Sequence, residues 1–550
     1  MNRNNLGEEQ LGWNYGDLYE AVADALPADA PALIHNGKRC NWREFDKRAN
    51  NLARAFLEAG LSTGDKIAFY MRNNSAYMET LSACFKARLI HVNVNYRYVE
   101  DELWYIIDNS DSRVVVYDPE FRDRVEHLRS RLPEVRLWVE LGQSGDRPDF
   151  ARSYEELAAT GEGKRLALQR SGSDMLFLYT GGTTGMPKGV MWEQESHWLA
   201  GARGATPETG MIPPANIKEH AGNVARSGGG RRSFPVCPQM HGTGLFTSIG
   251  ALAQGGCVVT TDSAHFDPDE VWKIVEEHKV NAMAIVGDAF AKPMLRYLDE
   301  NPDKFDITSL QTIISSGVMW SPEVKQGLLR HNSAMSLIDS FGASEAVGFG
   351  TSTTTAEGGT GVARFQLNEN VKVFTEDFRE VVPGSEEAGF VAKTGGIPTG
   401  YYKDEEKTAK TFPVINGVRY SIPGDWCRVE ADGTLTLLGR GSVCINTAGE
   451  KVYPEEVEEV LKTHADVFDA LVVGVPHEQW GQAVTAVVQL TQGATIDQGA
   501  LNIHLRQSLA GYKCPKTILV IDSLGRASNG KADYKRITGW ACEQLGVKSR

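Results

Sequence analysis

The stretch best suited to chemistry is Tyr179-Thr-Gly-Gly-Thr-Thr-Gly-Met-Pro-Lys-Gly189. Its core, Thr180, Gly181, Gly182, Thr183, Thr184 and Gly185, follows an apolar run and is read as a turn from a strand into a helix. Backbone N–H groups and hydroxyls crowded this closely can wrap phosphate oxygens, although many loops are rich in glycine and threonine. A rival is Gly525-Arg-Ala-Ser-Asn-Gly-Lys531-Ala532, which fits a GxxxxGK spacing behind the run TILVID. A nucleotide loop of that kind needs Ser or Thr after the lysine to hold Mg²⁺. The chain has Ala532 there and only 19 residues beyond Lys531, too few for the rest of such a sheet. Taken singly, other polar residues have ordinary readings. Lys531 suits a solvated surface, Ser344 and Glu345 suit a helix start, Asp425 suits a turn, and His241 suits a loop.

The elements that must position these residues are legible as short apolar runs between helical patterns. They are KIAFY at Lys66–Tyr70, RVVVY at Arg113–Tyr117, LFLY at Leu176–Tyr179, CVVT at Cys257–Thr260, AMAIV at Ala282–Val286 and TIIS at Thr312–Ser315. Runs of this kind read as buried parallel strands. Several end in polar, glycine-bearing turns: TGGTTG, Gly287-Asp288, Ser316-Gly317 and Phe341-Gly342-Ala-Ser344-Glu345. In open α/β sheets ligands bind beyond the carboxyl ends of strands, so these turns should converge on one site. Gly201–Arg232 is read as a loop excursion. From about Val371 a β-rich piece begins, with a hairpin signal at Asp432-Gly433. After Gly439 comes a compact α+β unit with a helix opening at Pro454, where Val457, Val460 and Leu461 share a face. The division expected is 1–439 and 440–550.

A chain of 550 residues exceeds what one core usually serves, consistent with that division. Lys and Arg number 57 against 71 Asp and Glu, a net charge of −14, which argues against a nucleic-acid partner. A polyanionic ligand must therefore be held by local donors, against the overall field. No apolar run of membrane-spanning length occurs and no signal peptide is read, so a cytoplasmic enzyme is expected. The eight cysteines are scattered without a CxxC pair, which fits reduced core thiols rather than disulfides or a zinc site.

The whole string YTGGTTGMPKG resembles the phosphate-binding loop of the adenylate-forming superfamily, which includes acyl-CoA synthetases, luciferases and peptide-synthetase adenylation domains. The likeness extends along nearly the whole chain with the motifs in the family's order. It implies an α/β fold: a large N-terminal adenylation domain of several subdomains, followed by a small mobile α+β domain. Thr180, Thr183, Thr184, Gly185 and Lys188 match the loop, while Gly181 stands where the family usually has Ser. FGASE is similar to the family's YGxTE segment. By that likeness Phe341 flanks adenine, Ser344 reaches the α-phosphate, and Glu345, with Thr184, serves Mg²⁺. Ser316, Gly317 and Val318 would line adenine and acyl group, Asp425 would bind ribose, and Arg440 ribose or phosphate. His241 would sit beside the acyl carboxylate, in a pocket shared with Gly242, Phe246, Gly287, Asp288 and Phe349. Gly449 would lie along the pantetheine path, Ser442 at the hinge, and Lys531 would bridge the acyl carboxylate and α-phosphate. Ser442 replaces the usual Asp or Lys, and GRAS replaces PRTx before Lys531.

The resemblance implies an acid–thiol ligase that uses ATP, Mg²⁺ and coenzyme A to convert a carboxylic acid into its acyl-AMP and then its thioester. The variants present are most similar to bacterial steroid side-chain and fatty-acid ligases, with an aryl acid as a further option. An amine or a carrier protein is the alternative acceptor, and a non-catalytic adenylate-binding protein is a rival of another class. Oligomeric state is left open, a homodimer included.

Overall fold

Residues 12–548 are described by a computed structural model, apart from 99, 143–146, 181–185, 202–210, 319, 360–363, 368–369, 441–444, 448–449, 478–479, 510 and 528–531. Short, largely buried runs early in the chain pair as five parallel strands. Their sheet orders Ile90–Asn93, Lys66–Tyr70, Ser112–Tyr117, Leu137–Glu140 and Ala151–Ser153. The helices Trp42–Glu58 and Ser75–Ala87 cover it; each is started by an asparagine, Asn41 and Asn74, whose side chain accepts a first-turn N–H.

The next run, Met175–Thr180, departs from the parallel expectation. It pairs antiparallel with Lys188–Glu193, register Thr180 opposite Lys188, so the glycine-rich turn joins two strands and not a strand to a helix. An isolated apolar run signals burial but carries no information on the direction of its partner. Gly201–Arg232 also differs from the expected loop, because it contains the helix Ile217–Ser227. Asn216 accepts from Glu219 N at the start, and Gly228 closes the end with φ of 74°.

Among the described residues the largest sheet has 14 strands. Its parallel centre orders Cys257–Thr260, Arg232–Pro235, Ala282–Ile285, Thr312–Ser316 and Ser336–Ala343. There Phe341-Gly-Ala-Ser-Glu345 does not open a helix. It forms the turn of an antiparallel hairpin between Ser336–Ala343 and Ala346–Thr355, with Ala343 opposite Ala346. Ser and Glu serve a tight turn as readily as a helix cap, and tertiary pairing decides here. The sheet continues through Asp425–Val429 and Leu435–Arg440, joined by the hairpin at Asp432-Gly433, where Gly433 takes φ of 81°.

Residues from 445 onward build a second, five-stranded sheet around the long pair Val467–His477 and Gly481–Leu490. Helices Pro454–Lys462 and Gln498–Ser508 pack Val457, Leu461, Leu501 and Leu505 on one side of it. Helix Tyr534–Gln544 packs Ile537 and Ala541 on the other. Among the described residues no helix is long and apolar enough to cross a membrane.

Candidate active site

One cavity of about 1740 Å³ opens where these sheets meet. At the carboxyl edge of the large sheet its wall is Ser316, Gly317, Val318 and the Ser340–Glu345 hairpin. Gly317 has φ of 93°, a left-handed conformation that frees the chain to turn sharply out of the strand. The Phe341 ring is braced by Phe349 and Phe365, with centroids 5.0 and 5.2 Å away. The hairpin turn is then fixed from three other parts of the chain. Trp192 Nε1 donates to Ser344 O at 3.0 Å, Ser421 Oγ to Glu345 O at 2.6 Å, and the buried Lys393 Nζ to Gly348 O at 3.0 Å. Tyr401 Oη donates to Glu345 Oε1 at 2.6 Å, setting the carboxylate's orientation with Glu345 only 9% exposed. Asp425, 8% exposed, lines the same space from the strand Asp425–Val429, farther along the same sheet.

His241 stands at the start of helix Gly242–Ala253, after a loop held by two asparagines. Asn73 donates to Pro235 O and Cys237 O, both at 3.1 Å, and accepts from Gln239 N at 2.7 Å. Asn93 donates to Met240 O at 2.7 Å and Tyr179 O at 2.8 Å, and accepts from Tyr179 N at 2.7 Å. A Cβ at Gly244 would lie 2.5 Å from Pro238 O, so only glycine lets the helix approach this loop.

The helix turns a stripe of mostly small residues toward the sheet: Gly242, Thr243, Phe246, Thr247, Gly250 and Ala251 line the cavity. Opposite are Ser233, Ala282 and Ile314 of the sheet. Glycine, threonine and alanine leave unfilled the volume that leucines would occupy. The side wall includes His197, whose Nδ1 lies 2.6 Å from Tyr15 Oη and whose ring lies 4.3 Å from Phe246. Burial pushes the His197 imidazole down to about 3, so it stays neutral near pH 7. At the sheet edge, burial raises the Asp339 carboxyl to about 6, although buried Lys325 forms an ion pair with it and acts in the opposite sense.

The second sheet and its helices supply the facing wall through Glu455, Glu458, Glu459, Lys462, Arg526, Ala532 and Tyr534. Tyr534 Oη donates to both oxygens of Glu458, at 2.9 and 3.0 Å. Burial raises Glu458 to about 7. Arg526 grips Asp469 through two N–H groups at 2.5 and 2.9 Å. Contact between the two parts includes Lys292 Nζ donating to Phe468 O at 2.8 Å and a cluster of Trp426, Leu438 and Tyr453.

Of the residues singled out from the sequence, Thr180, Lys188, His241, Gly242, Phe246, Ser316, Gly317, Val318, Phe341, Gly342, Ser344, Glu345 and Asp425 line this one cavity. Lys188 is ion-paired with Asp404 there. Arg440 ends the strand paired with Asp425 and lies directly opposite it. Three residues expected in the acyl pocket do not line it. Asp288 accepts from Ser321 N at 3.0 Å and Ser321 Oγ at 2.7 Å, tying helix Gly287–Glu300 to the start of Pro322–His331. Gly287 N donates to Ser315 Oγ at 2.8 Å, and Phe349 is fully buried behind Phe341. Gly181, Gly182, Thr183, Thr184, Gly185, Ser442, Gly449 and Lys531 lie outside the described residues. Asn73, Asn93 and Tyr401 were not foreseen. The one local signal was an asparagine ending the apolar run IHVN, a residue that strands disfavour.

The family model for AMP-binding enzymes matches residues 19–402, and the model for the AMP-binding enzyme C-terminal domain matches 456–531. The chain is 41% identical to a 3-oxocholest-4-en-26-oate–CoA ligase of Rhodococcus rhodochrous, covering 98% of this chain and 97% of the relative. It is 40% identical to a medium/long-chain-fatty-acid–CoA/3-oxocholest-4-en-26-oate–CoA ligase of Mycolicibacterium smegmatis, covering 96% of each. In fold it superimposes on an anthranilate CoA ligase in complex with anthranoyl-AMP, with a TM-score of 0.84, 20% identity and full coverage of both chains.

Two stability outcomes follow from this geometry. Asn93→Ala removes the donor to two buried carbonyls and is expected to lower the unfolding free energy by about 2–3 kcal/mol in urea titration. An unchanged midpoint would show that the tie is dispensable. The second outcome concerns acid. Folded His197 is neutral down to about 3, whereas in the unfolded chain histidine takes up a proton below about 6.5. Between those values the unfolded state binds more protons, so stability falls as pH falls. From pH 7 to 5 this group should contribute a loss of about 2 kcal/mol, and His197→Phe should lose correspondingly less than wild type. Equal losses in both would refute the assignment.

Proposed function

This chain belongs to the AMP-binding enzyme family, and we propose that it is an ATP-dependent acyl-CoA ligase joining a carboxylic acid to coenzyme A through an acyl-adenylate. The supporting observation is the single cavity that unites the flanks of the glycine-rich turn, the Phe341–Glu345 hairpin, Asp425 and the His241 helix. In the first half-reaction an oxygen of the acid's carboxylate attacks the α-phosphorus of ATP. The bond to the bridging oxygen breaks, and pyrophosphate leaves with the electron pair. In the second, the thiol sulfur of coenzyme A attacks the acyl carbon; the thiol proton is lost and AMP departs.

The residues divide this work by place. Thr180, Lys188 and the turn 181–185 would hold the phosphates; Phe341, Ser316 and Gly317 would bound the adenine; Asp425 and Arg440 would take the ribose. Ser344 and Lys531 would meet the charge that builds at the α-phosphate, and His241 the acid's carboxylate. Donors fixed before the reaction stabilise such charge without reorganising. Glu345 fits Mg²⁺: its carboxylate lines the cavity, Tyr401 orients it, and no cluster of three metal-binding side chains occurs among the described residues. That pattern suits a hard cation completed by phosphates and water, with Thr184 as a second ligand. Bound there, it would offset phosphate charge.

Residues 1–439 would carry both the nucleotide and the acid, and 440–550 would bring Lys531 for the first half-reaction and Gly449 for the second, turning about Ser442. Such gating explains two reactions in one cavity. As for the acid, helix Gly242–Ala253 has 12 residues and runs about 18 Å beside the cavity. This length favours a long fatty acid or a steroid side-chain acid over a single aromatic ring, in keeping with the activities named for the relatives.

Pyrophosphate release from Mg·ATP across a panel of acids, each with and without coenzyme A, tests the reading. Rapid turnover is expected only when a long apolar acid and coenzyme A are both present; equal turnover without coenzyme A would overturn it. Lys531→Ala should slow adenylation by roughly 10²–10³-fold while supplied acyl-AMP is still converted to thioester. Comparable losses in both half-reactions would refute the role of Lys531.

A further inference from the structure

Contact between the residues from 445 onward and the rest of the chain is of more than one kind. The apolar cluster of Trp426, Leu438 and Tyr453 lies close in sequence to the expected boundary at 440. Another contact comes from far away in the chain. Lys292, half-buried on helix Gly287–Glu300, donates from Nζ to Phe468 O at 2.8 Å, and its ammonium lies 5.4 Å from the centre of the Phe468 ring. Neither Lys292 nor Phe468 lines the cavity. This contact therefore serves the arrangement of the two parts and touches no reactant.

Both of its sides are prepared. On the large-sheet side, Asp288 Oδ2 lies 3.5 Å from Lys292 Nζ, one helical turn away, and Ser321 N and Oγ hold that carboxylate at 3.0 and 2.7 Å. The lysine is thus aimed by groups of its own part. On the other side, Val467 faces Leu490 and Asp469 faces Gln489, which leaves Phe468 as the extra residue of a bulge. Such a residue stands outside the ladder, and its carbonyl can accept from elsewhere. The next residue, Asp469, is the one that Arg526 grips, and the same guanidinium donates to Ala470 O at 3.3 Å. Arg526 lines the cavity five positions before Lys531, and Ala532, just after Lys531, lines it too. A tie at Phe468 is therefore connected through Asp469 to the segment that carries Lys531. The facing surfaces also have reason to part: Glu459, on helix Pro454–Lys462, acts on Asp339 of the large sheet as a like charge.

We infer that Lys292 is a positioning residue for adenylation, a latch that holds the second sheet in the arrangement that brings the Lys531 segment to the cavity. The inference rests on the ligase reading above and adds to it the contact that selects one of its two arrangements. A contact made in one arrangement and lost in the other shifts their balance by its whole free energy. Lys292 keeps Asp288 in both, since the two share a helix, so the difference between them is Phe468. A hydrogen bond from a charged donor at a half-buried site shifts such a balance by about tenfold. Asp288, absent from the acyl pocket, then has its place as the anchor of the latch.

The test measures the two half-reactions separately in the full chain. One assay follows pyrophosphate release from Mg·ATP with hexadecanoic acid; the other follows conversion of supplied hexadecanoyl-AMP and coenzyme A to the thioester. Lys292→Met keeps an unbranched stem without donors. It should slow adenylation several-fold, up to about tenfold, while thioester formation stays as fast as in wild type or becomes faster. Lys292→Arg restores a charged donor and should recover most of the lost rate. Adenylation at the wild-type rate in Lys292→Met, or equal loss in both half-reactions, overturns the latch alone. Equal loss of adenylation in Lys292→Met and Lys292→Arg does so too. If wild type carries out neither half-reaction, the ligase reading falls and the latch with it.

Discussion

The side-chain amide of Asn93 holds together three pieces of chain that share no backbone ladder. It sits at the end of a strand in the first parallel sheet, pairs with the backbone of Tyr179 at the end of the antiparallel strand Met175–Thr180, and donates to Met240 just before His241. Because it is 3% exposed, each of these carbonyls would otherwise be buried without a donor. The consequence is geometric. Tyr179 leads into the glycine-rich turn and Met240 into the His241 helix, so the segments proposed to hold phosphate and acid are set against each other by one carboxamide. Asn73 fixes the same loop from its other side. Productive alignment of two reactants tolerates errors well below an ångström or so, and a shared rigid tie is a direct way to achieve it.

The cavity itself opposes stability. Helix Gly242–Ala253 contains three glycines and two threonines, residues that form helices poorly, and it faces the sheet with side chains too small to fill the gap. Space left unpacked in this way forfeits both dispersion and burial. The segment is helical because its other face is fully engaged: Leu245, Ile249 and Leu252 are buried in the main core. One face holds the helix while the other keeps the volume open. A long acid would recover part of the missing contact, so binding and folding of this region are coupled.

Much of this arrangement is legible in the sequence because burial on both sheet faces demands unbroken apolar runs, and because turns that approach a ligand demand glycine. What those signals omit is direction and partner. LFLY has the composition of a parallel strand, and only the pairing with Lys188–Glu193 makes it antiparallel. Ser344-Glu345 is equally good as a helix cap and as a hairpin turn until Trp192, Ser421 and Tyr401 close around it. Asp288 looks like a site residue in a polar strand-end turn, but its carboxylate is consumed by Ser321. Asn73, Asn93 and Tyr401 act through contacts between distant segments, for which local composition has no counterpart. Helix Ile217–Ser227 was masked by the glycines that follow it, although its cap at Asn216 with Glu219 carried a local signal.

Electrostatics sets the last constraint, and it bears on why the facing wall belongs to a separate sheet. The molecule carries a net charge of −14, and the wall opposite the nucleotide end bears Glu455, Glu458 and Glu459. Three ionised carboxylates facing a triphosphate would repel it at close range. Two of them are blunted where they stand: Lys462 pairs with Glu459 at 2.9 Å, while burial raises the Glu458 carboxyl to about 7, so that it is only partly ionised near pH 7. The wall is therefore less negative than its three carboxylates alone would make it. On the proposed reading, a wall weakened in this way leaves the attraction to the donor it would bring. In the proposed reaction it would then withdraw after pyrophosphate has left, with less charge to pull away from the AMP that remains.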